Sequence, residues 1–267
     1  MMKRTTREVL LLDSPALAPL AALAPPFEAR VLDWAALAQA ARRAPPSAVV
    51  VIDPFTAGDP FVLDPRVREL IERVRMVPVV ARVPFAPGYA GAARTLLDWG
   101  ASEIVDAELE GTPDAIHARL LSVHAQPLKR VVEGSLSRFV SMDALTLVRA
   151  AAEVAVDGGT ALDLARIFDA RERTVAGWCA REGLPPPRRL LAWLRLVLAL
   201  ALLEDPRRSV VSAALSAGYT DYSFRRALRE LVGAGATPRE RSPRQALAAF
   251  NAELRARRER ARPAPAA

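Results

Sequence analysis

Residues 8–123 set five short apolar runs between segments of helical period, and few folds accept that order. The runs are EVLLLD (8–13), FEARVLD (27–33), SAVVVID (47–53), VPVVARV (77–83) and SEIVDA (102–107). Between and after them come LAPLAALA, WAALAQAARRA, DPRVRELIERVRM, GYAGAARTLLDWG and PDAIHARLLSV. Five strands, each followed by a helix, predict an α/β doubly wound domain with helices on both faces of a parallel sheet. Right-handed crossovers leave few topologies, and the flavodoxin-like strand order 2-1-3-4-5 is the common one at this length. Ligands in such sheets sit at the carboxyl ends of the strands near the switch point. Asp13 ends the first strand and Asp53 the third.

By element order and spacing, residues 7–124 resemble the receiver domain of bacterial response regulators. The resemblance implies that Asp53 stands where that family accepts a phosphoryl group. It also implies departures. The family holds Mg²⁺ on an acidic pair after the first strand, whereas here Asp13 is followed by Ser14. Val83 falls on the family's Thr/Ser position, and Asp106 or Ala107 on its Lys position. A hard divalent cation wants several oxygen ligands. An acyl phosphate at Asp53 would face no fixed cation, and Asp106 would repel it. Asp53 therefore reads as a strand-end carboxylate in a non-phosphorylated pseudo-receiver that regulates or dimerises. A genuine phosphoacceptor at Asp53 is the alternative.

Other chemistries find little support. No Gly-rich loop follows the first strand, and GYAG (88–91) is too short a match to imply a nucleotide site. His117 and His124 have no cysteine or carboxylate at metal spacing and read as solvated helix positions. No Ser-His-Asp or G-x-S-x-G arrangement occurs. We expect no catalysis, no metal and no cofactor. Cys179 is the single cysteine, so no internal disulfide can form. The N-terminus lacks the unbroken apolar run of a signal peptide. The most apolar segment, LLAWLRLVLALALL (190–203), is short for a bilayer span and contains Arg195. The expectation is a cytoplasmic protein without a membrane partner.

Charge separates the two halves. Residues 1–130 hold 15 basic and 15 acidic side chains, while residues 131–267 hold 22 basic, all arginine, against 15 acidic. The whole excess of +7 therefore lies in the second half. A neutral half joined to a basic half suggests a sensor or partner module joined to a polyanion binder.

The second half reads as helices. SMDALTLVRAAAEVAVD (141–157) is one, stopped by Gly158 and Gly159. Thr160 caps the next, whose apolar positions are Ala161, Leu164, Ala165 and Phe168; Asp169 and Ala170 turn the chain. A further helix starts near Glu172, with Val175, Trp178 and Cys179 on its inner face. The pattern then recurs. Ser209 caps a helix with Val211, Ala214 and Leu215, Gly218 and Tyr219 turn, and DYSFRRALREL follows. There Phe224, Ala227, Leu228 and Leu231 share one face, while Tyr222, Arg225, Arg226 and Arg229 share the other. Two helix-turn-helix units thus flank PPPRRLLAWLRLVLALALLEDP, an apolar helix buried between them.

Residues 160–240 resemble the DNA-binding domain of AraC-type transcription regulators. The residues that carry the match are Asp163-Leu164-Ala165, Arg173-Thr174-Val175, REGLP (181–185), Ser209-Val210, GYTD (218–221), FRRAL (224–228) and TPRE (237–240). The resemblance implies that the second helix of each unit enters the major groove of double-stranded DNA. The implied DNA-facing residues are Arg173, Ala176, Gly177 and Arg181, then Tyr222, Ser223, Arg225, Arg226 and Arg229. Alanine and glycine make few base contacts, so the first unit is expected to read less sequence than the second. A protein-interaction factor with weakened DNA binding is a further alternative. RNA polymerase stands as a candidate partner, as does a second copy met through the N-terminal domain.

The expected divisions are a receiver-like domain (1–126), a linker and connecting helix (127–157), the double helix-turn-helix domain (158–242) and a basic tail (243–267). The tail carries Arg255, Arg257, Arg258, Arg260 and Arg262, which either add phosphate contacts or fray.

Overall fold

The computed structural model describes residues 6–56, 59, 61–110, 112–136, 140–235 and 237–261. The chain divides into two compact units, residues 1–127 and 128–267.

Unit 1 is a parallel sheet of β1 (Arg7–Leu12), β2 (Phe27–Leu32), β3 (Val49–Ile52), β4 (Val79–Val83) and β5 (Glu103–Asp106), in the order β2-β1-β3-β4-β5. It is the receiver or flavodoxin-like order read from the sequence. β3 and β4 are buried at every position, as strands covered on both faces must be. Four helices follow: α1 (Trp34–Arg43), α2 (Pro65–Arg73), α3 (Ala90–Trp99) and α4 (Pro113–Ser122). The Asp33, Asp64 and Thr112 side chains accept from the first-turn amides of α1, α2 and α4. The first crossover leaves β1 in the opposite direction from the others, which puts its connection on the opposite face. That connection packs on α4, while α2 packs on α3.

Two expectations fail in this unit. LAPLAALA is a single 3₁₀ turn, Ala18–Ala22, not an α-helix. Pro15, Pro19, Pro25 and Pro26 crowd the segment and remove the amide donors that a longer helix needs. Nor are the histidines solvated. His124 is buried, and half-buried His117 meets Phe27 edge to face, with ring centroids 5.0 Å apart. Among the described residues no group of His, Cys, Asp and Glu could hold a metal ion.

Unit 2 is helical: α5 (Gln126–Glu133), α6 (Met142–Val156), α7 (Ala161–Ile167), α8 (Glu172–Arg181), α9 (Pro187–Leu202), α10 (Val210–Ser216), α11 (Asp221–Leu231) and α12 (Pro243–Ala261), with α5 opening at the division between the units. α9 is the axis. Twelve of its sixteen residues are buried, and α6, α7, α8, α10, α11 and α12 all pack against it. No helix of the described residues is long and apolar enough to cross a membrane.

The outer divisions of this half change. Residues 126–133, where the linker was expected to begin, form α5, which Lys129 ties to Glu153 and Glu133 to Arg149 of α6. α6 is no connecting rod, because nine of its residues are buried within the unit. The tail is no frayed arm either. Ala246, Leu247, Phe250 and Leu254 of α12 are buried, and Phe250 meets Trp193 of α9 at 5.6 Å. Glu253 closes the joint, accepting from Arg189 Nε (2.8 Å), Trp193 Nε1 (2.8 Å) and Arg257 Nε (2.9 Å). Burial raises its pKa, but these three donors outweigh burial and hold the carboxyl below the usual range. The tail's sequence hid this because its apolar residues lie among arginines whose stems also cover surface. Arg262 lies outside the described residues.

Candidate nucleic-acid interface

The sheet edge was one of two candidate sites. Asp53 follows β3, and both of its oxygens are engaged: the Ser14 hydroxyl donates to Oδ2 at 2.7 Å, and the Phe55 amide to Oδ1 at 3.0 Å. Ser14 is buried, whereas Asp13 is exposed. Asp106 is buried too and accepts from the Glu108 amide at 2.8 Å, which locks the turn after β5.

A fixed cation, Arg82 of β4, lies at the same end of the sheet, bonded to its own chain. Only 8 % exposed, it donates through Nη1 to the Ala16 carbonyl and through Nη2 to the Ala107 carbonyl at 2.6 Å. One guanidinium thereby ties the turns after β1 and β5. Burial lowers its pKa, and the Asp53 charge opposes that shift. A signal for it existed: Arg82 is the one charge inside the run VPVVARV.

The second site is built on two helix pairs. In the first, the Thr160 hydroxyl accepts from the Asp163 amide while Asp163 accepts from the Thr160 amide at 2.8 Å, a reciprocal cap that starts α7. Asp169 holds the turn at φ 47°, a left-handed setting that aspartate tolerates. Ala161, Leu164 and Ala165 of α7 meet Val175 and Cys179 of α8 in the core. Trp178 is half-buried rather than fully inside, edge to face with Phe168 at 5.8 Å. Cys179 is fully buried, and burial pushes its thiol up to about 11, so it is no reactive thiolate near neutral pH. The outer face of α8 exposes Arg173, Gly177 and Arg181, with Ala176 half-buried.

In the second pair, Thr220 and Ser223 cap α11 reciprocally: the Ser223 amide donates to Thr220 Oγ1 at 3.1 Å and the Thr220 amide to Ser223 Oγ at 2.8 Å. Ser223, expected at the DNA, thus holds the helix start. Gly218 turns the chain at φ 77°, where a side chain would be strained. Phe224 and Leu228 are buried, and Ala227 and Leu231 half-buried. In α10 the inward set is Ala213, Ala214 and Ala217. Val211 and Leu215 are 50 % and 61 % exposed.

The outer face of α11 exposes Tyr222, Arg225, Arg226 and Arg229. It is not purely cationic. Asp221 pairs with Arg225 at 3.0 Å and Glu230 with Arg226 at 2.7 Å, each one turn away along the helix. Arg229 makes no ion pair among the described residues. Such exposed pairs are worth little and exchange readily for a phosphate.

No family model matches the chain, and no curated protein matches it significantly. Among solved structures it is similar to full-length FixJ from B. japonicum. The identity is 19 %, over 70 % of this chain and 96 % of that one, with a TM-score of 0.37. A likeness at that level assigns no function.

Proposed function

We propose that the chain is a DNA-binding transcription regulator of AraC type. One observation carries the reading: two capped helix pairs are strung on a single buried helix, and the second presents three exposed arginines on its outer face. An exposed arginine can fork onto guanine O6 and N7, which reads sequence, or grip a phosphate, which positions the protein. Unit 1 serves as a non-phosphorylated regulatory or dimerisation domain, because the oxygens of Asp53 are already bonded within the sheet edge. Fold alone would not justify either role.

The test is a selection of bound duplexes from a genomic library, beside an Arg225→Ala/Arg226→Ala/Arg229→Ala variant. The wild type should enrich a motif and the variant should not. Weak, steeply salt-dependent binding by both, without enrichment, would reduce the arginines to a polyanion patch. A second reading, phosphorylation at Asp53, keeps the chemistry of a strand-end carboxylate at the switch point. Incubation with a small phosphodonor and Mg²⁺ should leave the intact mass unchanged. An adduct lost in Asp53→Ala would restore that reading.

A further inference from the structure

The two helix pairs meet at one point, and a half-buried cation sits there. Arg195 lies in the middle of α9, among residues that are otherwise apolar. Its Nη2 donates to the carbonyl of Gly159, the residue just before the Thr160 cap of α7. Across the same guanidinium lies the turn of the second pair. A Cβ added to Gly218 would stand 3.5 Å from Arg195 Nε, 3.7 Å from its Cζ and 3.4 Å from the Gly158 backbone. So the approach to the first pair, the turn of the second and the guanidinium share one contact, and glycines make room for it. At Gly159 a Cβ would come within 2.9 Å of Val154 Cγ1.

Tyr219 fastens the same turn to α9. Its hydroxyl donates to the Ala192 carbonyl at 2.7 Å, about one turn before Arg195, and its ring packs on Phe224 at the root of the arginine helix. Burial raises the Tyr219 hydroxyl and lowers Arg195. Neither changes charge near neutral pH, because a guanidinium keeps its proton. Arg195 forms no ion pair with a carboxylate among the described residues. A half-buried cation without one adds little to stability. Its direct hydrogen bond is to a backbone carbonyl, which specifies a geometry.

We infer that Arg195 is the positioning residue of a joint that holds the two helix pairs at one mutual setting, and so fixes the spacing of the two DNA segments they contact. This rests on the reading that unit 2 binds duplex DNA. Two reading helices on one face of a duplex need contacts about 10 base pairs apart, so a small rotation at the joint moves one helix out of its groove.

The test uses the full chain, the motif from the duplex selection, and versions of it with about two base pairs added or removed between the two contacted segments. The wild type should lose about 30-fold or more in affinity on either change. Arg195→Met keeps the apolar stem and removes the donors. It should bind the best spacing more weakly, keep its salt dependence, and fall by less than about threefold across the altered spacings. An Arg195→Met variant that keeps the wild-type spacing profile overturns the joint and leaves DNA binding standing. A wild type that enriches no duplex overturns the DNA reading and the joint with it. If Arg195→Met fails to fold, Arg195→Lys replaces it: the point charge keeps the burial but loses the guanidinium geometry, and the spacing profile should again flatten. A wild-type profile in that variant overturns the joint equally.

Discussion

The sheet edge around Asp53 and the outer face of α11 are both rich in charge, and they use it in opposite ways. At the sheet edge the charges turn inward. Asp53 accepts from Ser14 and Phe55, Asp106 from Glu108, and Arg82 gives its two Nη groups to carbonyls on separate turns. On α11 the guanidinium groups stand in water, two beside weak carboxylate partners and Arg229 beside none. A polar group bonded to backbone of its own chain fixes a loop, and removing it leaves partners unsatisfied. An exposed one with capacity to spare contributes little to the fold and is free to meet another molecule. On the proposed function, the site that fold position nominates is structural and the exposed face is the one that binds.

The largest expected effect tests the inward half of that contrast. Arg82→Ala removes a charged donor to two carbonyls and leaves a void between the turns after β1 and β5. Hydrogen bonds to charged groups contribute roughly 1.5–3 kcal/mol each, so a loss of about 2–4 kcal/mol in the urea unfolding of the N-terminal unit is expected. DNA affinity of the full chain should change by less than about twofold in a concentration range where both units stay folded. A stability loss under about 0.5 kcal/mol would mean that the edge is not held by its own cation, and the contrast with α11 would collapse.

The next effect separates the arginines of α11 from one another. Arg229 has no partner to leave, whereas Arg225 must give up Asp221. If Arg229 reads a guanine, Arg229→Ala should cost about tenfold or more in affinity and relax preference at one base position. If it grips a phosphate, the loss should be uniform across sequences and lower the salt slope by about one. Arg225→Ala should cost less than Arg229→Ala, since part of its interaction is already made within the helix. The reverse order would show that the Asp221 pair presents Arg225 to the DNA rather than competing for it. Neither change should alter thermal stability measurably.

What the sequence disclosed follows from what periodicity can carry. The sheet order and the strands were legible, because five apolar runs with helical segments between them fit few topologies. So was the long apolar helix with a capped pair on either side. Three kinds of feature were not. The 3₁₀ turn at Ala18–Ala22 has helical composition, and prolines decide against it. α12 looked like a basic tail because Phe250 and Leu254 are outnumbered by arginines, although one carboxylate, Glu253, gathers Arg257 of the tail with Arg189 and Trp193 of α9. The third kind is long-range polar pairing. That Arg82 reaches Ala16 and Ala107, or Arg195 reaches Gly159, depends on residues brought together only by the fold. For the same reason the sequence does not show that α10 and its C-cap bury Ala213, Ala214 and Ala217 while Val211 and Leu215 face water.

The smallest effect concerns α8, whose outer face exposes two arginines, Arg173 and Arg181, against the three of α11. Gly177 is exposed in mid-helix, and a Cβ added there would meet nothing within 4 Å. Gly177→Ala should therefore stabilise the helical unit by about 1 kcal/mol, through propensity and a less flexible unfolded chain, and raise Tm by about 3 °C. Its effect on DNA affinity is the sharper readout. If α8 contributes mainly fit and phosphate contact through Arg173 and Arg181, the added methyl should change affinity by less than about twofold. A tenfold loss with the stabilisation intact would mean that the bare stretch at Ala176 and Gly177 lets the helix backbone lie close against the duplex. The helix with two arginines would then be as much a reader as the helix with three.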